Sequence, residues 1–299
     1  MRVAFGRLAL ILWAIAVLFS VAGCGRSRSA AAEAAGSEAA RTIQNTGSDT
    51  LVNLALAWAE HYMQAYPDMN ISVTGGGSGT GIAALINGTV DIANASRAMK
   101  KEEIDAAKKN GIDPKEHTVA RDAIAVVVHP SNPVQGLTIP QLADIYTGKI
   151  TNWKDLGGAD LPIVLLSRES NSGTYVYFLE NVVRQGVKSA VMFSPDTLLM
   201  PSSEGISNEV RQNPNAIGYD GLGYVTSDQK VLPVAKDSAS PHVLPSAATV
   251  NDGTYPISRP LYMYTAGEPQ GEVKTYLDWI IGPEGQALVP TLGFVPLQK

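Results

Sequence analysis

The chain has 299 residues, of which 45% are apolar, with 28 glycines, 18 prolines, a single cysteine and a formal net charge of −5. That acidity argues against a nucleic-acid partner, which would call for a basic face, and one cysteine excludes an internal disulfide. Residues 41–299 are enough for one large or two medium domains.

The first element in chain order reads as an export signal and not as part of the fold. Arg2 and Arg7 precede "LALILWAIAVLFSV" (8–21), an uncharged apolar run that is short for a bilayer span. It ends in "VAGC", which resembles the lipobox of bacterial lipoproteins, with Cys24 as the lipidated first residue of the mature chain. The resemblance implies a lipoprotein signal peptide over 1–23 and attachment to the membrane through Cys24. Residues 24–40 are small and polar without apolar periodicity, the composition of a flexible tether. Losing Arg2 and Arg7, with no acidic residue, takes the net charge from −5 to −7.

The folded part begins with a helix: Leu51, Leu54, Ala55, Trp58, Tyr62 and Tyr66 keep helical spacing, with Ser48 or Asp49 at the cap position and Pro67 as the stop. "NISVT" (70–74) is a strand, "GTGIAALINGT" (79–89) a short helix and "VDIANASR" (90–97) a strand ending in polar residues. "KKEEIDAAKKNG" (100–111) is a solvated helix stopped at Gly111. Ala123–Val128 is apolar enough for a strand covered on both faces. Thr138 caps a helix with Pro140 in its first turn. "LPIVLLS" (161–167) is a buried strand that leads through "RESNSGT" to a helix over 175–186. A helix over 202–214, glycine-loosened "AIGYDGLGYV" (216–225), the strand "RPLYMYT" (259–265) and two helices broken at Gly282-Pro283 complete the pattern. Strands alternating with helices predict an α/β fold with mainly parallel sheets, and the length and two similar strand-loop-helix devices suggest two lobes.

Three times a strand-like element passes through small hydroxyl residues and glycine into a helix: "TGSDT" (46–50), "TGGGSGTGI" (74–82) and "SRESNSGTY" (167–175). The opening amides of a helix have no intrahelical partner and carry the positive end of its dipole. Glycine allows close backbone approach, and Ser or Thr adds donors. Each loop alone is an ordinary cap; together they read as one anion site. Arg168 in the third loop adds a planar fork suited to a tetrahedral oxyanion. "NASR" (94–97) places Ser96 and Arg97 at a strand's carboxyl end, where open α/β sheets bind ligands. No Walker A loop, dinucleotide-binding glycine pattern or nucleophile elbow occurs. His61, His117, His129 and His242 fit no metal-ligand spacing. Neither an enzyme, a metal site nor a cofactor is expected.

"GSDT", "GGGSGTGI", "VDIANASR", "LADIYTGKITNWKDLG", "SRESNSGTY" and "NAIGYDGLGYV", in this order, resemble the phosphate-binding proteins of bacterial ABC-type phosphate transporters over about residues 42–299. The resemblance implies the type II periplasmic-binding-protein fold, two α/β lobes joined by two crossover strands with a ligand cleft between them. Lobe one would be 41–126 with 256–299, lobe two 127–255, and the crossovers "AIAVVVHP" and "SRPLYMYT". Inorganic phosphate would be bound by Ser48, Thr50, the Leu51 amide, Ser78 and the Gly79 region, with Ser96 beside them and Arg168, Ser172, Gly173 and Thr174 closing from lobe two. A monomer would then deliver it to membrane permease subunits, from the periplasm or the outer face of the membrane.

This chain departs from the family where other members end the third strand with an Asp that accepts the phosphate proton. Here Ser96 is followed by Arg97, and an Asp that braces the arginine in some members is Ser170. Selectivity against sulfate still needs an acceptor, and Asp49 is the candidate, its other reading being an N-cap. The alternatives are the same fold holding sulfate, molybdate or tungstate, a tethered sensor or adhesin without transport, and a surface hydrolase, for which no nucleophile or metal cluster is found.

Overall fold

The computed structural model describes residues 42–298; the expected signal peptide, Cys24 and the tether lie outside the described residues. The fold opens with β1 (Thr42–Gly47), a 3-10 turn at Asp49–Leu51 and α1 (Val52–Ala65). There follow β2 (Asn70–Thr74), α2 (Ser78–Ile86), β3 (Ile92–Ala95), α3 (Lys101–Lys109) and the long β4 (Lys115–Val128). Next come β5 (Leu137–Thr138), α4 (Ile139–Tyr146), β6 (Val164–Arg168), α5 (Gly173–Phe178), β7 (Leu198–Met200) and α6 (Ser203–Gln212). The chain then forms β8 (Ala216–Gly221), β9 (Lys230–Leu232), β10 (Val234–Ala235) and α7 (Ala247–Asn251). It returns through β11 (Ser258–Thr265) and closes with α8 (Gly271–Ile281) and α9 (Pro283–Leu288).

Local chemistry accounts for the helix starts. Thr138 accepts the Gln141 amide while the Gln141 side chain returns to the Thr138 amide, a capping box around Pro140. Pro283 occupies the first turn of α9, where its missing amide is harmless. The helix expected over 175–186 instead starts at Gly173 and widens into a π turn at Leu179–Val183.

The sheet is mixed, where the sequence suggested a mainly parallel one. Its strand order is β2-β1-β3-β11-β4-β8-β6-β7, with β9 also on β4. β1 pairs in parallel with β2 and β3, and β6 with β7 and β8. β4 leaves the first parallel group and β11 returns to it, so the two lie side by side in opposite directions. The register decides where a site forms. Tyr262 of β11 faces both Ala95 of β3 and Thr118 of β4, while Gly221 of β8 faces Ile124 of β4. The carboxyl ends of β3 and β8 therefore approach the middle of β4 from opposite sides, and Asp122 lies between those two levels.

Two apolar cores flank that midpoint. One packs Ile43, Leu51, Trp58, Tyr62, Leu261 and Tyr276, with the Trp58 indole donating to Gly285 O at 2.7 Å and so fixing α1 on α9. The other surrounds the end of β4 with Val126, Tyr146, Trp153, Phe178 and Tyr219, the last two rings stacked with centroids 3.7 Å apart. Each fully buried side chain of this size contributes about 1.5–3 kcal/mol, which anchors the platforms on both sides.

Candidate functional site

The first loop is aimed by Gly47. Its φ is +144°, and a Cβ there would overlap the Asn94 carbonyl, so only glycine lets β1 hand the Ser48 amide to Asn94 O at 2.8 Å. Ser48, Thr50 and Leu51 are buried. Thr50 Oγ1 lies 2.8 Å from Thr174 Oγ1, 124 residues further on.

The second and third loops meet directly. Ser78 opens α2, and its Oγ accepts the Ser96 amide at 3.0 Å and sits 3.3 Å from Ser96 Oγ. Ser172 caps α5 by accepting the Thr174 and Tyr175 amides. Gly173 is pressed against the first cluster, because a Cβ on it would fall on the hydroxyl oxygens of Ser78 and Ser96. At the start of α2 the Thr80 and Gly81 amides donate to Gly77 O, so with Ser172 holding those of Thr174 and Tyr175 it is the Ser78 and Gly173 amides that lack an acceptor. Ser78, Ser96, Ser172, Gly173 and Thr174 thus form one buried hydroxyl-and-amide cluster, with Thr50 reaching it through Thr174.

Arg168 is buried at the end of β6. It donates to Met200 O (3.3 Å), Pro201 O (3.0 Å) and Ser203 Oγ (2.8 Å), and pairs with Asp49 at 3.1 Å. The same Asp49 oxygen accepts the Ser203 amide at 2.8 Å, so the start of α6 joins the site.

Four placements differ from what the sequence suggests. The Leu51 amide is closed on Ser48 O within the 3-10 turn, and the Gly79 amide is taken by Asn171 O at 2.9 Å, so neither is a free donor. Asp49 is tied through Oδ2 to Arg168 and to the Ser203 amide of α6, which leaves Oδ1 as its remaining acceptor. Arg97 turns to α3, where Glu103 holds it through two bonds of 2.7 Å. In each case a local or cross-fold partner, invisible in the loop's own sequence, takes the group first.

Sequence reasoning missed the polar centre beneath these loops. Arg259 on β11 grips Asp122 through Nε (3.2 Å) and Nη2 (2.8 Å) and also donates to Ser96 O and Thr174 Oγ1, both at 2.9 Å. It thereby fixes one residue from each half of the hydroxyl cluster. The Tyr177 ring covers it, 5.6 Å from the guanidinium carbon. The only signal was a basic residue inside an apolar strand, "SRPLYMYT". Asp220, at the end of β8, is also buried; Oδ1 accepts the Gly221 amide and Oδ2 has no hydrogen-bond partner.

Burial pushes the Asp220 carboxyl up to about 7, against the pull of Arg168 and with a further push from Asp122. Its folded value exceeds the unfolded one, so its stabilising contribution is complete below about pH 4 and is lost as pH rises through about 7. Asp220→Asn is expected to lose less stability than the wild type between pH 5 and pH 8. Urea midpoints at the two pH values measure this, and equal losses in both proteins would contradict it.

Among the described residues no group of three or more His, Cys, Asp and Glu side chains is placed to hold a metal ion. The arrangement is suited to holding a small oxyanion with amides, hydroxyls and a positioned guanidinium.

A family model described as a PBP superfamily domain matches residues 32–284. The phosphate-binding protein PstS of Pseudomonas aeruginosa is 36% identical over 272 residues, covering 85% of this chain and 83% of that protein. PstS of Bacillus subtilis is 34% identical over 300 residues, covering 97% of this chain and 94% of that protein. A Clostridium perfringens substrate-binding protein crystallised with bound phosphate matches with a TM-score of 0.77 at 35% identity, covering 86% of this chain and all of that one. An ABC-type phosphate transport receptor from Vibrio cholerae matches with a TM-score of 0.69 at 29% identity, over 85% of this chain and all of that one.

Proposed function

Because this chain belongs to the PBP superfamily and, within it, to the PstS-type phosphate-binding proteins, we propose that it binds inorganic phosphate outside the cytoplasm and delivers it to an ABC-type phosphate permease. The observation that carries this is Gly173, seated on the Ser78 and Ser96 hydroxyls, which joins two helix starts into one cluster of hydroxyls and amides. The ligand oxygens are taken by Thr50, Ser78, Ser96, Ser172, Thr174 and the Gly173 amide, with Ser48 behind them and Arg168 supplying charge. Dipoles and hydroxyls carry most of the binding, which is how an acidic chain holds an anion.

Residues 41–126 with 256–299, and 127–255, act as two lobes that close on the ligand about β4 and β11. The change of β4's partner from β11 to β8 at Ala123–Ile124 supports that division. Binding involves no chemical step. The protein works as a monomer, is anchored through lipidated Cys24, and in its closed form docks on the permease.

Calorimetric titration of the chain from Cys24 onward with phosphate and with sulfate tests the reading. Phosphate binding is expected, and none in the wild type would reject it. Ser78→Ala is expected to weaken phosphate at least about tenfold, since one hydrogen bond to a charged group is worth about 1.5–3 kcal/mol, and to fold with a somewhat lower thermal midpoint, because the buried Ser96 amide loses its acceptor. An unchanged affinity would remove Ser78 from the site.

A second reading, the same site holding sulfate, molybdate or tungstate, is favoured by one observation: the position of the family's proton acceptor holds Ser96, and Arg97, which follows it, is paired with Glu103. Phosphate and sulfate titrations at two pH values separate the two, since a fully deprotonated oxyanion has no proton to share.

A further inference from the structure

Asn171 lies between Arg168 and the start of α5. Its Nδ2 donates to Gly76 O at 2.9 Å and lies 3.5 Å from Thr80 Oγ1, 95 and 91 residues away. Its own carbonyl accepts the Gly79 amide at 2.9 Å. The glycines opposite are fitted to it. A Cβ on Gly77 would stand 2.9 Å from Asn171 O and 3.2 Å from its Cγ, and one on Gly79 would stand 3.3 Å from the same oxygen. Gly77 also has φ +96°, a conformation that side chains rarely adopt. The glycine run before α2 is therefore a socket for one residue of the opposite half of the site.

We infer that Asn171 is a positioning residue for anion binding, clamping the loop that opens α2 onto the segment that opens α5 and so setting how long the ligand stays. This rests on the phosphate reading above. Ser78 lies inside the socket and Ser172–Thr174 follow Asn171 directly, so the clamp brings the two hydroxyl groups to the ligand together. Its bonds span residues that separate when the halves part, so they stabilise the closed arrangement over the open one. A ligand enters the open form and leaves after reopening, so loss of the clamp acts on dissociation and leaves association nearly unchanged. Asn171 makes no proposed ligand contact, and its exposed side chain is not part of either core.

Stopped-flow phosphate binding with the wild type, Asn171→Ala, Gly77→Ala and the double variant tests this. Asn171→Ala is expected to dissociate about three- to tenfold faster, the equivalent of one uncharged hydrogen bond, with association within about twofold of the wild type. Gly77→Ala, which displaces Asn171, is expected to do the same, and the double variant to be no worse than Gly77→Ala alone. Unchanged dissociation in Asn171→Ala, a loss carried by slower association, or fully additive effects would each overturn the inference while leaving phosphate binding intact. A wild type that takes up no phosphate would instead reject the functional reading, and the inference with it.

Discussion

Replacing Arg259 by alanine is expected to destabilise the fold by about 3–5 kcal/mol, the range found when one partner of a buried ion pair is removed. Asp122 has 0% and Arg259 2% of its surface exposed, so water cannot take over for the missing guanidinium. The variant strands the Asp122 carboxylate and the acceptors at Ser96 O and Thr174 Oγ1. Burial already pushes the Asp122 carboxyl up, with Arg259 opposing it. Without Arg259 it rises further above its unfolded value, so the variant's stability falls as pH increases. The deficit is therefore expected to be smaller at pH 5 than at pH 8 in urea melts. Replacing both partners, Arg259→Met with Asp122→Leu, should recover much of the stability, because two well-packed apolar groups can match a buried pair. It should not recover phosphate binding, since Ser96 and Thr174 lose the donor that fixes them. A pH-independent loss below about 1 kcal/mol would show that the pair is not what holds the middle of β4.

The helix starts were legible in the sequence because their signals are local. A Ser or Thr, a glycine and an apolar periodic run lie within a few residues of one another, which marks the three loops, and the family resemblance then points to Ser78, Ser172 and Thr50 within them. The polar centre was not legible, for the opposite reason. Asp122, Asp220 and Arg259 each sit within an apolar strand run, and only the pairing of β4 with β11 and β8 brings Asp122 beside Arg259 and near Asp220. β1 has no clear bounds in the sequence because "TIQNTG" buries Asn45 where an apolar residue would mark a strand. By composition alone the glycine run predicts room for a ligand. In the structure Gly81 gives room to β1, with Gly47 Cα 2.6 Å from where its Cβ would stand, and Gly77 and Gly79 give room to Asn171. Composition shows that something comes close there, and only the fold says what.

Arg168→Ala is expected to lower phosphate affinity about a hundredfold, close to 3 kcal/mol. Nε, Nη1 and Nη2 each have one hydrogen-bond acceptor, and Nη2 also pairs with Asp49. A guanidinium has five donors, so Nη1 keeps a hydrogen for a ligand oxygen. That bond is charge-assisted and worth about 1.5–3 kcal/mol. The rest of the loss comes from Asp49, which in the variant faces an incoming anion without its partner. The two contributions can be told apart. Asp49→Asn in the Arg168→Ala background should recover part of the lost affinity by removing that repulsion, whereas Asp49→Asn alone should weaken binding by loosening Arg168. If Asp49 acts only through Arg168, its asparagine variant leaves the ratio of phosphate to sulfate affinity unchanged; if it takes the ligand's proton, sulfate gains on phosphate. Calorimetry on the four proteins with both anions reads all of these. An Arg168→Ala affinity within about threefold of the wild type would mean that the guanidinium braces α6 and Asp49 without meeting the ligand.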